Sequence, residues 1–331
     1  MLIALDAMGG DFAPAASVAG AILAQKEAGI EVALVGDKAI IDAELIRQGE
    51  APSNYQIIHA SEAIAMDEHP AQAVRTKKDA SINVAMDLVK RGVASAFVSA
   101  GNTGAIMASA LMTLQRIHGI ERPALGTVAP FSERGVLVLD VGANADVKPS
   151  YLVQFAQMGS IYAERMMGVP RPRIALLNIG GEDNKGSELM QDVHARLRAH
   201  TAINFVGNIE GGEVHKNKAD VIVTDGFTGN VAVKVTEGVA DFIFQELRAA
   251  LTSKLQYRLA ALVLRSGLRP MRDRMDPNTY GGVPLLGVNG VVFIAHGNSD
   301  ANAIKNCLTR AREAASSGML DHIRGSLGRK S

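Results

Sequence analysis

The sequence predicts an α/β fold in which helices cover both sides of a mostly parallel sheet. Short apolar runs alternate with longer segments of helical period along most of the 331 residues. Most of these runs are continuously apolar rather than alternating, as expected for strands that are covered on both faces. Repeated alternation of strand and helix is typical of a three-layer αβα sandwich with one central sheet.

Strands and helices can be placed in order along the chain. Pro14 and Pro149 each fit the first turn of a helix, where the missing N–H of proline costs little. The chain has no internal repeat, low-complexity segment or proline-rich linker, so we expect one domain over residues 1–331, with room for a two-lobed shape. The predicted strands are 2–5, 31–35, 55–59, 94–99, 135–141, 173–178, 202–206 and 219–224. The predicted helices are 14–28, 79–91, 103–116, 149–167, 187–200 and 300–316.

The composition excludes several classes of protein. Lys and Arg total 34, and so do Asp and Glu, whereas a general nucleic-acid binder carries a basic excess. Hydrophobic residues make up 47% of the chain, which excludes intrinsic disorder. The single cysteine excludes a disulfide framework and a cysteine-cluster zinc site. We expect this residue, Cys307, to be a small core residue in the helix predicted over 300–316.

No segment is typical of a membrane span or of a secretory signal. The longest uncharged stretch, 92–115, is interrupted by the polar glycine-containing sequence 101–104, whereas a spanning helix needs about 20 mostly apolar residues. The first residues lack the basic and apolar regions of a signal peptide. We therefore expect a soluble, cytoplasmic protein.

Five polar glycine-rich turns follow predicted strands. Each combines glycine with small amide, hydroxyl or carboxylate side chains, and we expect all five at one edge of the sheet. A single turn of this kind usually means only a tight bend. Together they indicate a pocket for phosphate or an oxyanion, since glycine lets the backbone approach a ligand and helix starts attract anions. None matches a Walker loop or a dinucleotide fingerprint. The turns are 6–11, 99–104, 140–144, 178–186 and 224–230.

These turns resemble the PlsX family of phosphate acyltransferases. The matching segments are LDAMGGD at 5–11, SAGNTGA at 99–105, LDVGAN at 139–144, NIGGEDNKG at 178–186, GNIEG at 207–211, DGFTGN at 225–230, YGGVPLLGVNG at 280–290 and HGNSD at 296–300. They span almost the whole chain in the order of the family. One departure is the sequence Gly181-Glu182-Asp183, which affects at most the local geometry of its turn.

The resemblance implies both a fold and a reaction. The fold would be similar to that of isocitrate and isopropylmalate dehydrogenases and of phosphotransacetylases. The enzyme would reversibly form acyl-phosphate from acyl-acyl carrier protein and inorganic phosphate, as a homodimer with its site near the subunit junction. The product would pass to a PlsY-like membrane acyltransferase that acylates glycerol 3-phosphate in phospholipid synthesis. No cofactor is implied.

This chemistry needs no nucleophile from the protein, because a thioester is already activated and phosphate attacks it. We expect Lys185, the only cation inside the five turns, to neutralise phosphate or the oxyanion. Asp225 would orient Lys185 or accept a proton, and Asn230 would donate a hydrogen bond. For each amide the alternative is capping of its own turn. The expected substrate-binding residues are Ser99, Gly101, Asn102, Thr103, Gly104, Asn144, Thr228 and Gly229.

Other polar groups have weaker assignments. We expect His296 to make a structural hydrogen bond. We assign no metal to Asp6 and Asp11, since neither their spacing nor their partners are specific. The basic group 75–78 is either a solvated patch or a site that attracts phosphate or phosphopantetheine.

A basic strip, residues 248–275, carries seven Lys or Arg residues against the single acid Asp273. Leu251, Leu255, Leu259 and Leu262 recur at helical spacing and form an apolar stripe. Three interpretations stay open: packing of the stripe in the core or a dimer, docking of an acidic carrier protein, and contact with an anionic membrane surface. We favour the last two, and so expect peripheral association with the inner face of the membrane. The expected contact residues are Lys254, Arg258, Arg265 and Arg269.

Three other functions compete with this interpretation. The first is a phosphotransacetylase-like enzyme that uses a short acyl-CoA. The second is a metal- and NAD-dependent decarboxylating dehydrogenase, whose acidic ligands and arginines we cannot assemble from the sequence. The third is a membrane-peripheral scaffold, which would leave the five polar turns without a task.

Overall fold

A computed structural model describes residues 1–132, 134–275 and 281–327. The strands are β1 (Leu2–Asp6), β2 (Glu31–Gly36), β3 (Gln56–His59), β4 (Ala96–Ser99), β5 (Ala124–Ala129), β6 (Val136–Leu139), β7 (Arg173–Asn178), β8 (Asn204–Glu210), β9 (Val221–Val223), β10 (Val283–Leu286) and β11 (Val291–Ile294). The helices are α1 (Ala15–Ala28), α2 (Lys38–Arg47), α3 (Pro70–Thr76), α4 (Ser81–Lys90), α5 (Thr103–Thr113), α6 (Pro149–Met166), α7 (Glu188–Ala199), α8 (Gly226–Thr252), α9 (Leu255–Met275), α10 (Ala301–Ser316) and α11 (Met319–Leu327).

All these strands form one sheet in the order β3-β2-β1-β4-β11-β10-β5-β6-β9-β7-β8. Two blocks of the sheet are parallel within themselves: β3-β2-β1-β4-β11 and β6-β9-β7-β8. Three successive antiparallel pairings separate the blocks, through β10 and β5. The mostly parallel sheet predicted from the sequence is therefore confirmed, but the two blocks run in opposite directions.

This reversal corrects the expectation that the five glycine-rich turns share one edge. The turns 6–11 and 99–104 follow β1 and β4, at the carboxyl edge of the first block, which we call the first edge. The turns 140–144, 178–186 and 224–230 follow β6, β7 and β9, at the opposite edge, which we call the second edge. β4 and β6 are four positions apart in the sheet, or about 19 Å at the usual strand spacing.

Helices cover both faces of the sheet, as the alternating side chains of β1 illustrate. Ile3 and Leu5 point into an apolar cluster on one face, whereas Ala4 points into a second cluster on the other face. The first cluster takes its helical side chains from α1, α2, α6, α7, α10 and α11. The second takes them mainly from α3, α4 and α5, with Val233 of α8 packed against it. No helix of the described ranges is both long and apolar enough to cross a membrane.

Candidate functional site

At the first edge, a buried carboxylate holds the turns after β1 and β4 together. Ser99 Oγ donates a hydrogen bond of 2.7 Å to Asp6 Oδ2 and accepts one of 2.9 Å from the backbone N–H of Gly101. Burial raises the pKa of Asp6, while hydrogen bonds from Ser99 and nearby groups act to lower it. A Cβ on Gly9 would lie only 2.5 Å from Asp6 Oδ2. The Asp6 carboxyl group is thus packed against Gly9, and a residue with a Cβ at position 9 would collide with it.

The Asn102 side chain is fully engaged in local structure at this edge. Its Oδ1 accepts a hydrogen bond from the backbone N–H of Ala105 and caps α5. Its Nδ2 donates to the backbone oxygens of Met66 and Glu68, at 3.0 and 3.2 Å. The geometry therefore gives Asn102 the capping role that the sequence left as its alternative. Thr103 is exposed and Gly104 half-buried on the first turn of α5.

The basic group predicted over 75–78 lies close to this segment. Lys77 Nζ forms an ion pair of 2.6 Å with Glu68 and donates a hydrogen bond to the backbone oxygen of Ala63. Arg75 and Lys78 are exposed. Lys77 is therefore bound to the segment 63–68, which Asn102 also contacts. Only Arg75 and Lys78 match the expectation of a solvated patch.

At the second edge, Asp140 organises the turn after β6. Its carboxylate accepts hydrogen bonds from the backbone N–H groups of Leu125, Ala143 and Asn144, between 2.8 and 3.0 Å. Burial raises the pKa of Asp140, and the surrounding N–H donors act in the opposite direction. Asn144 Nδ2 donates to Asp140 Oδ2 and to the backbone oxygen of Pro123. The turn is thus rigid, with Asn144 buried inside it.

The turn after β9 docks directly on this one and starts α8. Asp225 accepts hydrogen bonds from the backbone N–H and the hydroxyl of Thr228, at 2.8 and 2.7 Å, and so caps the helix. Asn230 is exposed, and its Nδ2 donates to the backbone oxygen of Val141 at 3.0 Å. Gly229 packs so closely that a Cβ there would lie 1.9 Å from the backbone oxygen of Asp140. Five of the predicted site residues therefore form one contiguous group: Asn144, Asp225, Thr228, Gly229 and Asn230.

Lys185 lies at the same edge, in the turn after β7. β7 neighbours β9, so the three turns of the second edge follow adjacent strands in the order β6-β9-β7. The Lys185 ammonium is about half exposed, and its nearest carboxylate is that of Glu182, at 4.0 Å. Among the described residues no ion pair links it to Asp225, whose oxygens cap α8. Lys185 thus presents a cation to solvent at this edge.

Two residues that the sequence analysis missed fix the shape of the Lys185 turn. Asn208 Nδ2 donates a hydrogen bond of 2.7 Å to the backbone oxygen of Glu182, and its Oδ1 lies 2.9 Å from Nδ1 of the buried His194. His194 Nε2 lies 3.2 Å from the Asp183 carboxylate. Asn208 lies in the GNIEG segment at 207–211, so the resemblance could have identified it as a candidate site residue. His194 carries no such signal, because its partners lie in separate parts of the chain, Asn208 in β8 and Asp183 in the turn after β7.

Cys307 has the role expected of it, whereas the described contact of the His296 side chain is longer than the hydrogen bond expected there. His296 Nε2 lies 3.9 Å from the Glu237 carboxylate of α8, a contact that links the first edge to that helix. Burial lowers the pKa of His296. Cys307 is fully buried in α10, and burial raises the pKa of its thiol, which confirms it as a core residue. Across residues 1–132, 134–275 and 281–327, no group of three or more His, Cys, Asp or Glu side chains is arranged to hold a metal.

The basic strip consists of the end of α8 and α9 rather than one continuous helix. α8 ends at Thr252, where Ser253 Oγ donates to the backbone oxygen of Ala250. Lys254 therefore lies in the turn between the helices, and Leu251 is separated from the rest of the stripe. Arg258 and Arg269 are exposed on α9, whereas the side chain of Arg265 lies outside the described part of the chain.

The leucine stripe of α9 is open to solvent within one copy of the chain. Leu255 is 74% exposed, Leu259 59% and Leu262 65%. The interpretation that this stripe packs in the core of a single copy is therefore wrong. The remaining interpretations cover the stripe with a second copy of the chain, a carrier protein or a membrane surface.

Comparisons with known proteins agree with the resemblance. The model of a family described as "Fatty acid synthesis protein" matches residues 1–322. A phosphate acyltransferase from Desulfitobacterium hafniense is 50% identical over 330 residues, which cover 99% of this chain and 98% of that protein.

Solved structures support the fold. A phosphotransacetylase from Streptococcus pyogenes gives a TM-score of 0.65 at 17% identity, over 96% of this chain and 94% of that one. A 4-hydroxythreonine-4-phosphate dehydrogenase from Klebsiella pneumoniae gives 0.55 at 14% identity, over 95% of this chain and 98% of that one. The predicted fold class is confirmed by these likenesses and by the sheet itself. From its match to the family and to the relative at 50% identity, the chain belongs to the PlsX family of phosphate acyltransferases and is a transferase.

Proposed function

We propose that this chain, as a single-domain protein, transfers an acyl group from acyl carrier protein to inorganic phosphate. The acyl-phosphate would then serve a PlsY-like membrane enzyme that acylates glycerol 3-phosphate. The observation that carries the proposal is the second edge, where the turns after three adjacent strands place the solvent-facing ammonium of Lys185 at the same edge as the exposed amide of Asn230. These groups suit a phosphate dianion next to an acyl carbon.

The reaction needs positioning more than covalent help from the protein. A phosphate oxygen attacks the thioester carbon, the carbon–sulfur bond breaks, and the thiolate leaves with the bonding electron pair. Lys185 would neutralise phosphate or the developing oxyanion, and Asn230 would donate a hydrogen bond through its second Nδ2–H. Thr228 would donate one after its hydroxyl turns away from Asp225. One donor to an oxyanion is worth about 3–4 kcal/mol, and correct placement of the two reactants about 7–11 kcal/mol.

Asp225 and the residues of the first edge would have structural roles in this proposal, without contact to the reacting atoms. Asp225, with Asn144 and Gly229 beside it, would hold the start of α8 in place, because its oxygens already cap that helix. The turn before α5 lies at the opposite edge of the sheet from Lys185, so its residues would shape the first edge rather than contact a phosphate bound at the second edge. These residues are Ser99, Gly101, Asn102, Thr103 and Gly104.

We also propose that the enzyme is a homodimer. α8 carries exposed apolar side chains at Val231, Val235, Val239 and Phe242, spaced so that they share one face of the helix. Large exposed apolar patches mark interaction surfaces. Sedimentation should give a dimer mass, and Val239→Lys should shift it toward the monomer. A monomer mass for the wild-type protein at assay concentration would refute this part.

The basic strip would dock carrier protein or lie on the inner face of the membrane, in the cytoplasm. Exposed basic and apolar side chains on α9 support both partners. Reversing the charge of Lys254 and Arg258 should lower kcat/KM with acyl carrier protein and leave acyl-CoA turnover unchanged if carrier docking is the role. Loss of binding to anionic phospholipid vesicles, with turnover unchanged, would instead assign the strip to the membrane.

A phosphotransacetylase-like reaction with acyl-CoA is the second candidate. The likeness to phosphotransacetylases, at 17% identity, shows the shared fold and leaves the acyl donor to be tested. Phosphate-dependent thiol release should be measured with palmitoyl-acyl carrier protein, palmitoyl-CoA and acetyl-CoA, without added metal. We expect the carrier-protein donor to react fastest, and faster turnover of either CoA thioester would defeat the proposal.

A further inference from the structure

An apolar cavity of about 390 Å³ lies between α8 and the face of the sheet beneath it. Val138, Ile222 and Leu177 form part of its floor, on the adjacent strands β6, β9 and β7. Ala232 and Ala240 line it from α8. Its volume falls in the range of about 300–1,000 Å³ that is usual for small-molecule sites.

The position of this cavity connects it to the second edge. Leu177 comes directly before the turn that carries Lys185, and Ile222 lies three residues before Asp225. The cavity also reaches His296, which follows β11 at the first edge. Along α8, Ala232 and Ala240 are eight residues apart, or about 12 Å. The cavity is therefore elongated, and one of its ends lies beside the candidate site.

The chemistry of the lining favours a hydrocarbon rather than a polar ligand. Four lining side chains carry polar atoms, those of Thr127, Thr236, Glu237 and His296. Glu237 forms an ion pair of 2.8 Å with Lys234, so its charge is compensated. The rest of the lining is aliphatic, glycine, proline or Phe131. Such a surface gains stability by covering methylene groups and offers little to a sugar or a nucleotide.

We propose that this cavity binds the acyl chain of the thioester, with the thioester carbon at the second edge and the methyl end directed toward His296. This inference rests on the proposed function and adds the site that holds its apolar substrate. Burial of one methylene is worth about a fourfold change in an equilibrium constant. The wild-type enzyme should therefore gain kcat/KM steeply from butyryl to octanoyl to palmitoyl donors.

Two cavity-filling variants test both the site and its direction. Ala240→Leu narrows the end toward His296, so it should lower kcat/KM at least tenfold for palmitoyl donors and leave butyryl donors within twofold. Ala232→Leu lies nearer the second edge and should already impair octanoyl donors. Ala43→Leu, an exposed alanine on α2 outside the cavity, is the matched control and should change neither. Thermal unfolding followed by circular dichroism checks that each variant is folded.

The outcomes separate this inference from the proposed function. Equal losses for short and long donors in Ala240→Leu, or no loss for palmitoyl donors in either variant, would overturn the acyl-chain site. If no donor gives phosphate-dependent thiol release in the wild type, the proposed function fails, and the cavity is judged by calorimetric binding of palmitate. Binding at least tenfold weaker in Ala240→Leu would still support the site, whereas equal affinity, or no binding to the wild type, would refute it.

Discussion

Gly229 is the position where one added methyl group should damage the second edge most. It is buried in the first turn of α8, and a Cβ there would lie 1.9 Å from the backbone oxygen of Asp140 and 2.9 Å from Thr224 Cγ2. Real Cβ contacts stay above 3.0 Å, so the two backbones must separate by at least 1.1 Å, the difference between 3.0 and 1.9. Gly229→Ala should therefore move α8 away from the turn after β6.

The expected loss can be estimated from this displacement. Overpacking of this kind costs about 1–3 kcal/mol of the free energy of unfolding, and a misplacement of about 1 Å at a reacting group costs on the order of a hundredfold in rate. We expect a loss of that size in phosphate-dependent turnover of an acyl thioester, together with a lower melting temperature.

Gly238→Ala is the matched control for this variant. Gly238 is exposed in the same helix, and nothing lies within 4 Å of a Cβ built there. Removal of a helical glycine should raise stability by up to about 1 kcal/mol, with turnover unchanged. Near-normal turnover and melting of Gly229→Ala would refute the claim that contact between these two turns shapes the site.

Three further perturbations have defined outcomes. Lys185→Ala should lower kcat at least about tenfold without loss of stability. The control Lys218→Ala, which removes a surface ion pair with Glu213, should leave kcat unchanged. Equal rates in the two variants would remove Lys185 from the mechanism. Asn102→Ala should lower the free energy of unfolding by about 1–2 kcal/mol, because it removes the cap of α5. An unchanged denaturation midpoint in urea would contradict the capping role. Burial lowers the pKa of His296 in the folded protein below its usual 6.5. As the pH falls below 6.5, the unfolded chain therefore binds the proton first, and His296 lowers the free energy of unfolding. His296→Gln should flatten the pH dependence of the urea midpoint in this range, and an unchanged slope would contradict this.

Most strands and long helices of the first 200 residues could be predicted because their local patterns agree with their environment. β1 and β4 are apolar up to their last residue and buried apart from Leu2, and α1 and α6 begin at or next to their prolines. β5, β10 and β11 were missed. Val283–Leu286 contains a proline and lies in a glycine-rich segment, so its strand character comes from pairing with β5 and β11 rather than from propensity.

The direction of the second block could not be predicted from local pattern. A parallel strand has the same apolar pattern in either block, and the reversal depends on the long-range insertion of β10 between β11 and β5. The five turns were therefore identified correctly as turns after strands, but they were wrongly placed at one edge. Likewise, the break at Ser253 and Lys254 divides an apparently continuous amphipathic strip, because hydroxyl side chains there bond to preceding carbonyl groups.

The candidate site could be predicted as a set of residues but not as an arrangement. Asn144, Asp225, Thr228 and Asn230 do lie together, because their strands are neighbours. Which polar atoms are free for a substrate depends on partners elsewhere in the chain. The carbonyl groups of 65–68 that occupy Asn102 are one example.

Oxygen labelling gives the most direct test that phosphate itself attacks the acyl carbon. Purified protein, palmitoyl-acyl carrier protein and phosphate labelled with ¹⁸O at every oxygen should be mixed without added metal, and the products identified by mass spectrometry. We predict palmitoyl-phosphate that retains every labelled oxygen, formed in equal amount with the free carrier thiol. Release of unlabelled palmitate with no acyl-phosphate would mean that water is the nucleophile, and would contradict the account.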